Sequence, residues 1–149
     1  MKDRKQVGIW LDYREAYIVE LSENHSPVLK HLRSGIEPGV PKGGVRSKTP
    51  YGPQGGPSEQ RFQEKRHHQE KAYFERIIRE VAPDARQIIV FGPAEAKFGL
   101  QHAMDAIKHY LPQRIGFFSA HAMSENQIVA AVVTFYAGKP VWTEASILS

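Results

Sequence analysis

The sequence predicts an α/β domain in which helices flank a mixed sheet of five strands. Three observations favour it: three β-branched and aromatic runs joined by close turns, a break rich in glycine and proline, and then strands alternating with helical patterns. Close turns join antiparallel strands, whereas strand–helix–strand units place their strands in parallel. The sheet is therefore expected to contain both kinds of pairing.

The first third of the chain predicts an antiparallel meander. Residues 7–11, 16–21 and 28–32 are short apolar runs, and the polar segments between them are typical of turns. Because both connections are short, neighbouring strands are expected to pair in chain order.

The remainder predicts three helices and two further strands. Pro93 suits a first helical position, and Ser124 with Gln127 has the form of a capping box. A meander followed by right-handed crossovers gives the strand order 3-2-1-4-5, which is a ribonuclease-H-like arrangement. In chain order the elements are a helix capped by Ser58 and ending near 80, a strand at 87–91, a helix over 94–110, a strand at 114–118 and a helix after 124–127.

A glycine- and proline-rich segment separates the two halves. Over residues 35–57, twelve of 23 positions are Gly or Pro, and few apolar side chains could anchor the segment in a core. Such a composition does not offset its ordering entropy by burial, which predicts a mobile loop over about 36–57. Since the residues before it could not fold alone, we expect residues 1–149 to form a single domain that contains this loop.

The composition excludes several classes of function. The chain has 149 residues and no cysteine, which excludes a disulfide framework, a thiolate zinc site and a cysteine nucleophile. No apolar run approaches the roughly 20 residues of a membrane span, and no secretory signal is visible. We expect a cytoplasmic protein with no membrane partner, and the oligomeric state stays open.

The positive charge is concentrated in one segment. The net charge is +4, and residues 42–71 hold seven Lys/Arg against three acids, which accounts for the whole excess. Glycines allow close approach of a backbone to a polyanion, and Lys/Arg side chains neutralise phosphates. A solvated loop and helix face is the alternative explanation. The candidate RNA-binding residues are Lys42, Arg46, Lys48, Gly55, Gly56, Arg61, Lys65 and Arg66.

Residues 55–67 carry a resemblance to a known family. Their Gly-Gly pair, Arg-Phe pair and Lys-Arg-His run resemble the signature region in the middle domain of the eukaryotic and archaeal peptide-chain release factor, subunit one, and more weakly that of Pelota. Residues 7–21, 89–97 and 119–133 are similar to further segments of the same domain. The chain also resembles stand-alone bacterial proteins described as translational machinery components. The matching residues of the signature are Ser58, Arg61, Phe62, Lys65, Arg66 and His67.

The resemblance implies a ribosome-associated or RNA-binding factor, with the ribosome, rRNA or tRNA as partner. In the family a Gly-Gly-Gln tripeptide positions the water that releases the peptide, but Pro57 stands here at the glutamine position. Proline has no backbone N–H, so a donor aimed at developing charge is missing. Peptidyl-tRNA hydrolysis is therefore not expected. Gln54, before the glycine pair, is a weak alternative catalytic candidate, and enzymatic activity is left open.

Two other functions remain as alternatives. The Gly/Pro-rich loop could order on a protein partner, or a nuclease could hold divalent ions with Asp12 as its first ligand. No histidine cluster has metal-ligand spacing, and residues 92–97 lack a nucleotide-binding motif, so no metal and no cofactor are expected. The acids considered as companions of Asp12, none with a diagnostic spacing, are Glu20, Glu37, Glu95 and Asp105.

Overall fold

The computed structural model describes residues 5–23, 26–36, 57–81, 85–107 and 112–139, with the side chains of the first helix described from Gln60 onward. Five strands and three helices occupy these ranges. They are β1 (Lys5–Leu11), β2 (Glu15–Leu21), β3 (Val28–Arg33), α1 (Pro57–Glu80), β4 (Ala85–Gly92), α2 (Ala96–Asp105), β5 (Gln113–Ser119) and α3 (Glu125–Tyr136).

The strands form one open mixed sheet in the order β3-β2-β1-β4-β5. The pairs β1–β2 and β2–β3 are antiparallel, whereas β1–β4 and β4–β5 are parallel. The predicted α/β class and strand order are thereby confirmed, and the arrangement is compatible with a ribonuclease-H-like fold. Strands β1, β3, β4 and β5 all end at the same edge of the sheet, which we call the carboxyl edge.

Each face of the sheet is covered by different helices. Because successive strand side chains point to opposite faces, Ile9 lies in the core beneath α1 and α2, while the adjacent Trp10 lies in the core beneath α3. Tyr73 and Ile77 of α1 belong to the first core, and Ile128 belongs to the second. The sheet is thus buried on both sides around β1.

Two helix starts differ from the prediction. Helix α1 begins at Pro57 and not after a Ser58 cap, since proline at the first helical position loses no hydrogen bond. Helix α2 runs over Ala96–Asp105, within the predicted 94–110. Pro93 is not its first residue, because Ala94 takes a left-handed conformation with φ +56° and interrupts the turn.

The start of α3 confirms the predicted capping box. The Gln127 backbone N–H donates to Ser124 Oγ at 3.2 Å, and the Ser124 N–H donates to Gln127 Oε1 at 2.9 Å. These bonds satisfy two of the donors that a helix start leaves without a partner.

The predicted mobile loop falls almost entirely on residues 37–56, which lie outside the described ranges. The described residues on either side of that segment are Ile36, just past the end of β3, and Pro57, at the start of α1. Within the described residues, no helix has both the length and the apolar character needed to cross a membrane.

Candidate nucleic-acid interface

Helix α1 is fixed to the carboxyl edge by its second half. The Tyr73 hydroxyl donates to the Asp12 carbonyl at 2.8 Å, at the end of β1. Arg76 Nη2 donates to the Arg33 carbonyl at 2.7 Å, at the end of β3. From these contacts the helix runs back along the sheet, so that Lys30 Nζ donates to the Glu80 carbonyl at 3.3 Å.

The first half of α1 therefore extends past the carboxyl edge. Residues 57–72, which we call the α1 tip, span about 24 Å at the usual helical rise. Four basic and two acidic side chains lie over residues 60–71. The exposed side chains outnumber the half-buried ones there, since almost no residue of this stretch is apolar. The tip is a polar, net positive projection.

Arg61 and Lys65 have the properties expected of phosphate contacts. Both side chains are exposed. Because they are four residues apart on one helix, they lie on the same face about one turn from each other. Two cations so placed are suited to adjacent phosphates of one strand. The structure brings these two predicted RNA-binding residues together.

Arg66 occupies a different environment from Arg61 and Lys65. Its Nε lies 3.1 Å from Glu70 Oε2, and its guanidinium lies over the Tyr13 ring at 5.8 Å from the centroid. Burial and the carboxylates of Glu70 and Glu95 raise the pKa of Tyr13, and Arg66 opposes them. Arg66 thus connects the α1 tip to the β1–β2 turn, and it remains a predicted RNA contact.

The remaining predicted site residues lie outside the described residues. They belong to residues 37–56, between Ile36 and Pro57 in the sequence. Both of these flanking residues are at the end of the molecule from which the α1 tip projects. The residues concerned are Lys42, Arg46, Lys48, Gly55, Gly56 and the catalytic candidate Gln54.

No protein-family model matches the chain, and no curated protein matches it. A solved structure of the archaeal translation termination factor aRF1 is similar, at a TM-score of 0.41 and 13% identity. The match covers 90% of this chain and 39% of that protein, so the chain spans well under half of its length.

The turn between β4 and α2 is held by a buried lysine. Lys97 is 2% exposed, and its ammonium donates to the carbonyls of Gly92, at 3.0 Å, and Ala94. The Gly92 carbonyl also accepts the N–H of Ala120 at 3.1 Å. Burial lowers the pKa of Lys97, and Glu95 opposes that effect. Through these contacts the lysine closes the turn over residues 92–97.

The acids considered for a nuclease are engaged separately. Asp12 Oδ1 accepts the backbone N–H groups of Arg14, at 2.8 Å, and Glu15, at 2.9 Å, so it caps the β1–β2 turn. Glu20 is buried beside Lys30 Nζ at 2.9 Å, and Asp105 pairs with Arg114 at 2.6 Å.

Glu95 is exposed at the start of α2, and Glu37 lies outside the described residues. Among the residues described, no group of three His, Asp or Glu side chains could hold a metal ion. The nuclease hypothesis gains no support from the described acids.

Sequence reasoning missed a second feature, on the opposite side of the sheet. His31 and Tyr17 lie directly across from each other on β3 and β2, with stacked rings whose centroids are 4.5 Å apart. The sequence places each residue only in a predicted strand. Their alternation within the two runs was visible, but the register that brings them together depends on the turn length.

Proposed function

We propose that the protein is a ribosome-associated or RNA-binding factor, similar in role to the middle domain of translation release and rescue factors. The observation that carries the proposal is the α1 tip, where exposed Arg61 and Lys65 project past the carboxyl edge. The Gly/Pro-rich segment joins this tip at Pro57. The resemblance of residues 55–67 to the release-factor signature independently supports an rRNA or tRNA partner.

The proposed contacts are to phosphates. Cations on a projecting helix can enter a groove of folded RNA without moving the sheet, because Tyr73 and Arg76 fix the helix behind the tip. Phosphate contacts position a protein on nucleic acid and give it a salt-dependent affinity. Lys42, Arg46 and Lys48 would extend the same basic surface, and Gly55 and Gly56 would allow close backbone approach.

Ribosome co-sedimentation over a salt series tests the proposal. The paired variant Arg61→Glu/Lys65→Glu should weaken binding and flatten its salt slope by about one unit for each lost phosphate contact. A matched control is Arg79→Glu/Arg86→Glu, which makes the same change in net charge at exposed positions away from the tip. The control should retain most of the binding.

Equal weakening by both pairs would show that net charge alone drives association and would contradict the proposed interface. Binding that does not respond to salt would favour the alternative, a protein-interaction module. Both variants change exposed side chains, so each should keep the melting temperature of the wild type within a few degrees.

We further propose that binding is not coupled to peptidyl-tRNA hydrolysis. Pro57 is the first residue of α1 and carries no N–H that could stabilise a developing oxyanion. The purified protein should therefore release no peptide from ribosome-bound peptidyl-tRNA above the spontaneous rate. Release by the wild type that disappears in Gln54→Ala would contradict this and would assign the chemistry to Gln54.

A further inference from the structure

A row of ring side chains crosses the sheet on the face covered by α3. The strand register places each ring directly opposite the next, from one edge strand to the other. Helix α3 covers the central part of this row, where Trp10 is 3% exposed. The members, in order across the sheet, are His31, Tyr17, Trp10, Phe91 and Phe118.

The two outer rings on the β3 side are stacked in parallel. The rings of Tyr17 and His31 are 4.5 Å apart with an interplanar angle of 11°, whereas Tyr17 and Trp10 are tilted by 51°. Since these partners face each other across neighbouring strands, the stack runs in the direction from the sheet centre to its edge. Its outermost ring is His31.

One carboxylate oxygen holds both rings. Glu15 Oε1 lies 2.9 Å from His31 Nε2 and 3.4 Å from the Tyr17 hydroxyl, which donates to it. The His31 side chain nevertheless remains one-third exposed. The stack is thus ordered before any ligand arrives, and the entropy cost of forming a planar binding surface is already met.

The outer face of the His31 ring lies at the edge of the described sheet. β3 is an edge strand of the described sheet, so no described strand stands beyond this ring. A further flat ring placed against His31 would continue the stack outward. Single-stranded nucleic acid binds proteins in this manner, because every base has a face that stacks on aromatic rings and imidazoles.

One cation near the stack, Arg33, is suited to a phosphate of a bound strand. Arg33 lies two residues beyond His31 on the same face of β3, about 7 Å nearer the carboxyl edge. Arg33 lies directly opposite Glu15 in the β2–β3 register, so this cation belongs to the strand pair that holds both rings. The carboxylates of Glu15 and of Glu125, at the start of α3, disfavour a phosphate close to the Tyr17 hydroxyl, so the strand is expected to pass on the outer side of His31, toward Arg33.

We infer that the Tyr17–His31 stack is a binding site for one unpaired base of single-stranded RNA, with Arg33 contacting its phosphate. The inference deepens the proposed RNA-binding function and rests on it. The site lies on the α3 face of the sheet, separate from the α1 tip, so its contribution can be measured independently.

Two RNA strands of equal charge isolate the contribution of the base. Binding of the full chain is measured by the fluorescence anisotropy of two labelled RNA strands. One is an eight-nucleotide oligoadenylate, and the other has the same backbone with abasic riboses in place of the adenosines. The wild type should bind the adenine strand about 5- to 100-fold more tightly than the abasic strand. His31→Ala and His31→Leu should lose this preference while keeping the affinity for the abasic strand.

The controls separate the stack from the phosphate contacts. His102→Ala removes an exposed histidine on α2 and should keep the base preference. Arg61→Glu/Lys65→Glu should weaken both strands equally and also keep it. His31→Leu maintains side-chain volume on β3, so loss of preference in that variant with an unchanged melting temperature is not a folding defect.

Equal wild-type affinity for the two strands, or a preference that survives His31→Ala, would overturn the inference. If neither strand binds, the proposed phosphate interface is wrong. Binding of a base to the Tyr17–His31 stack is then tested by NMR alone. Adenosine monophosphate should shift the ring resonances of His31 and Tyr17. No shift, or a larger response to N-acetyltryptophanamide, would overturn the base site, the latter in favour of a protein partner.

Discussion

Gly8, in the centre of β1, lies against Val132 of α3 with no room for a side chain. A Cβ atom at this position would lie 2.4 Å from Val132 Cγ2 and 2.9 Å from Cγ1. Carbon atoms pack at about 3.5–4.0 Å, so Gly8→Ala requires α3 to move by on the order of 1 Å. Val132 is fully buried, and interiors are close-packed, so its side chain cannot move without displacing its neighbours. Such overpacking costs about 1–3 kcal/mol, partly offset by about 0.4–1 kcal/mol from the stiffer unfolded chain.

A second substitution shows whether the cost comes from this contact. Val132→Ala removes both short contacts and by itself costs about 1.5–3 kcal/mol in lost burial. It leaves a Cβ–Cβ distance of 3.2 Å, which small shifts can relieve. The double variant should therefore be more stable than the sum of the single costs predicts, by about 1 kcal/mol.

Urea denaturation followed by circular dichroism measures the three free energies of unfolding. Val133→Ala is the matched control, because this neighbouring side chain is 40% exposed and should cost little in either background. Additive costs for Gly8→Ala and Val132→Ala, or an alanine at Gly8 that leaves stability unchanged, would refute the close packing of α3 on β1.

Two further substitutions test the contacts at the carboxyl edge. Tyr73→Phe leaves the Asp12 carbonyl without its donor and should cost about 0.5–2 kcal/mol at pH 7. Burial raises the pKa of Tyr73, so the folded protein keeps a proton that the unfolded chain loses near pH 10. The stability of the wild type should therefore fall as the pH rises above 10. Urea titrations of the Tyr73→Phe variant should show a shallower fall. Lys97→Met leaves the Ala94 carbonyl unpaired and should cost about 1–3 kcal/mol by urea denaturation at pH 7. Burial lowers the pKa of Lys97 below its ordinary 10.5, so just below pH 10.5 the unfolded chain binds more protons than the folded protein. The stability of the wild type should therefore increase with pH in that range relative to the variant. A constant difference in stability between the two proteins across pH 8–10.5 would contradict this account.

The strand order could be predicted because local signals and chain geometry agreed. Short turns force the first three strands to pair with their neighbours, and right-handed crossovers place the last two on the other side of β1. The start of α2 could not be predicted, since Ala94 takes its left-handed conformation together with the buried ammonium of Lys97. No charge pattern in the sequence indicates that Lys97 is buried.

The sequence predicts part of the candidate interface. Composition located the basic segment, and the exposed positions of Arg61 and Lys65 agree with it. Composition does not distinguish an exposed cation from one that folds back, and Arg66 contacts Glu70 and Tyr13. The Glu70 partner follows from four-residue spacing, but Tyr13 is brought near only by the tertiary fold.

The central place of β1 has a consequence for how the chain reaches its native state. One edge of β1 pairs with β2 across a short turn. The other edge pairs with β4, which comes much later in the chain: Gln6 of β1 and Gln87 of β4, which are hydrogen-bonded, are 81 positions apart. Until β4 emerges from the ribosome and folds, the apolar strand Lys5–Leu11 keeps one hydrogen-bonding edge open. Open edges of this kind pair readily with other chains, so newly made protein is most vulnerable to aggregation in that interval. The length of the intervening segment therefore extends this interval during synthesis, whereas it adds little to the later pairing step, because the entropy of loop closure grows only with the logarithm of loop length.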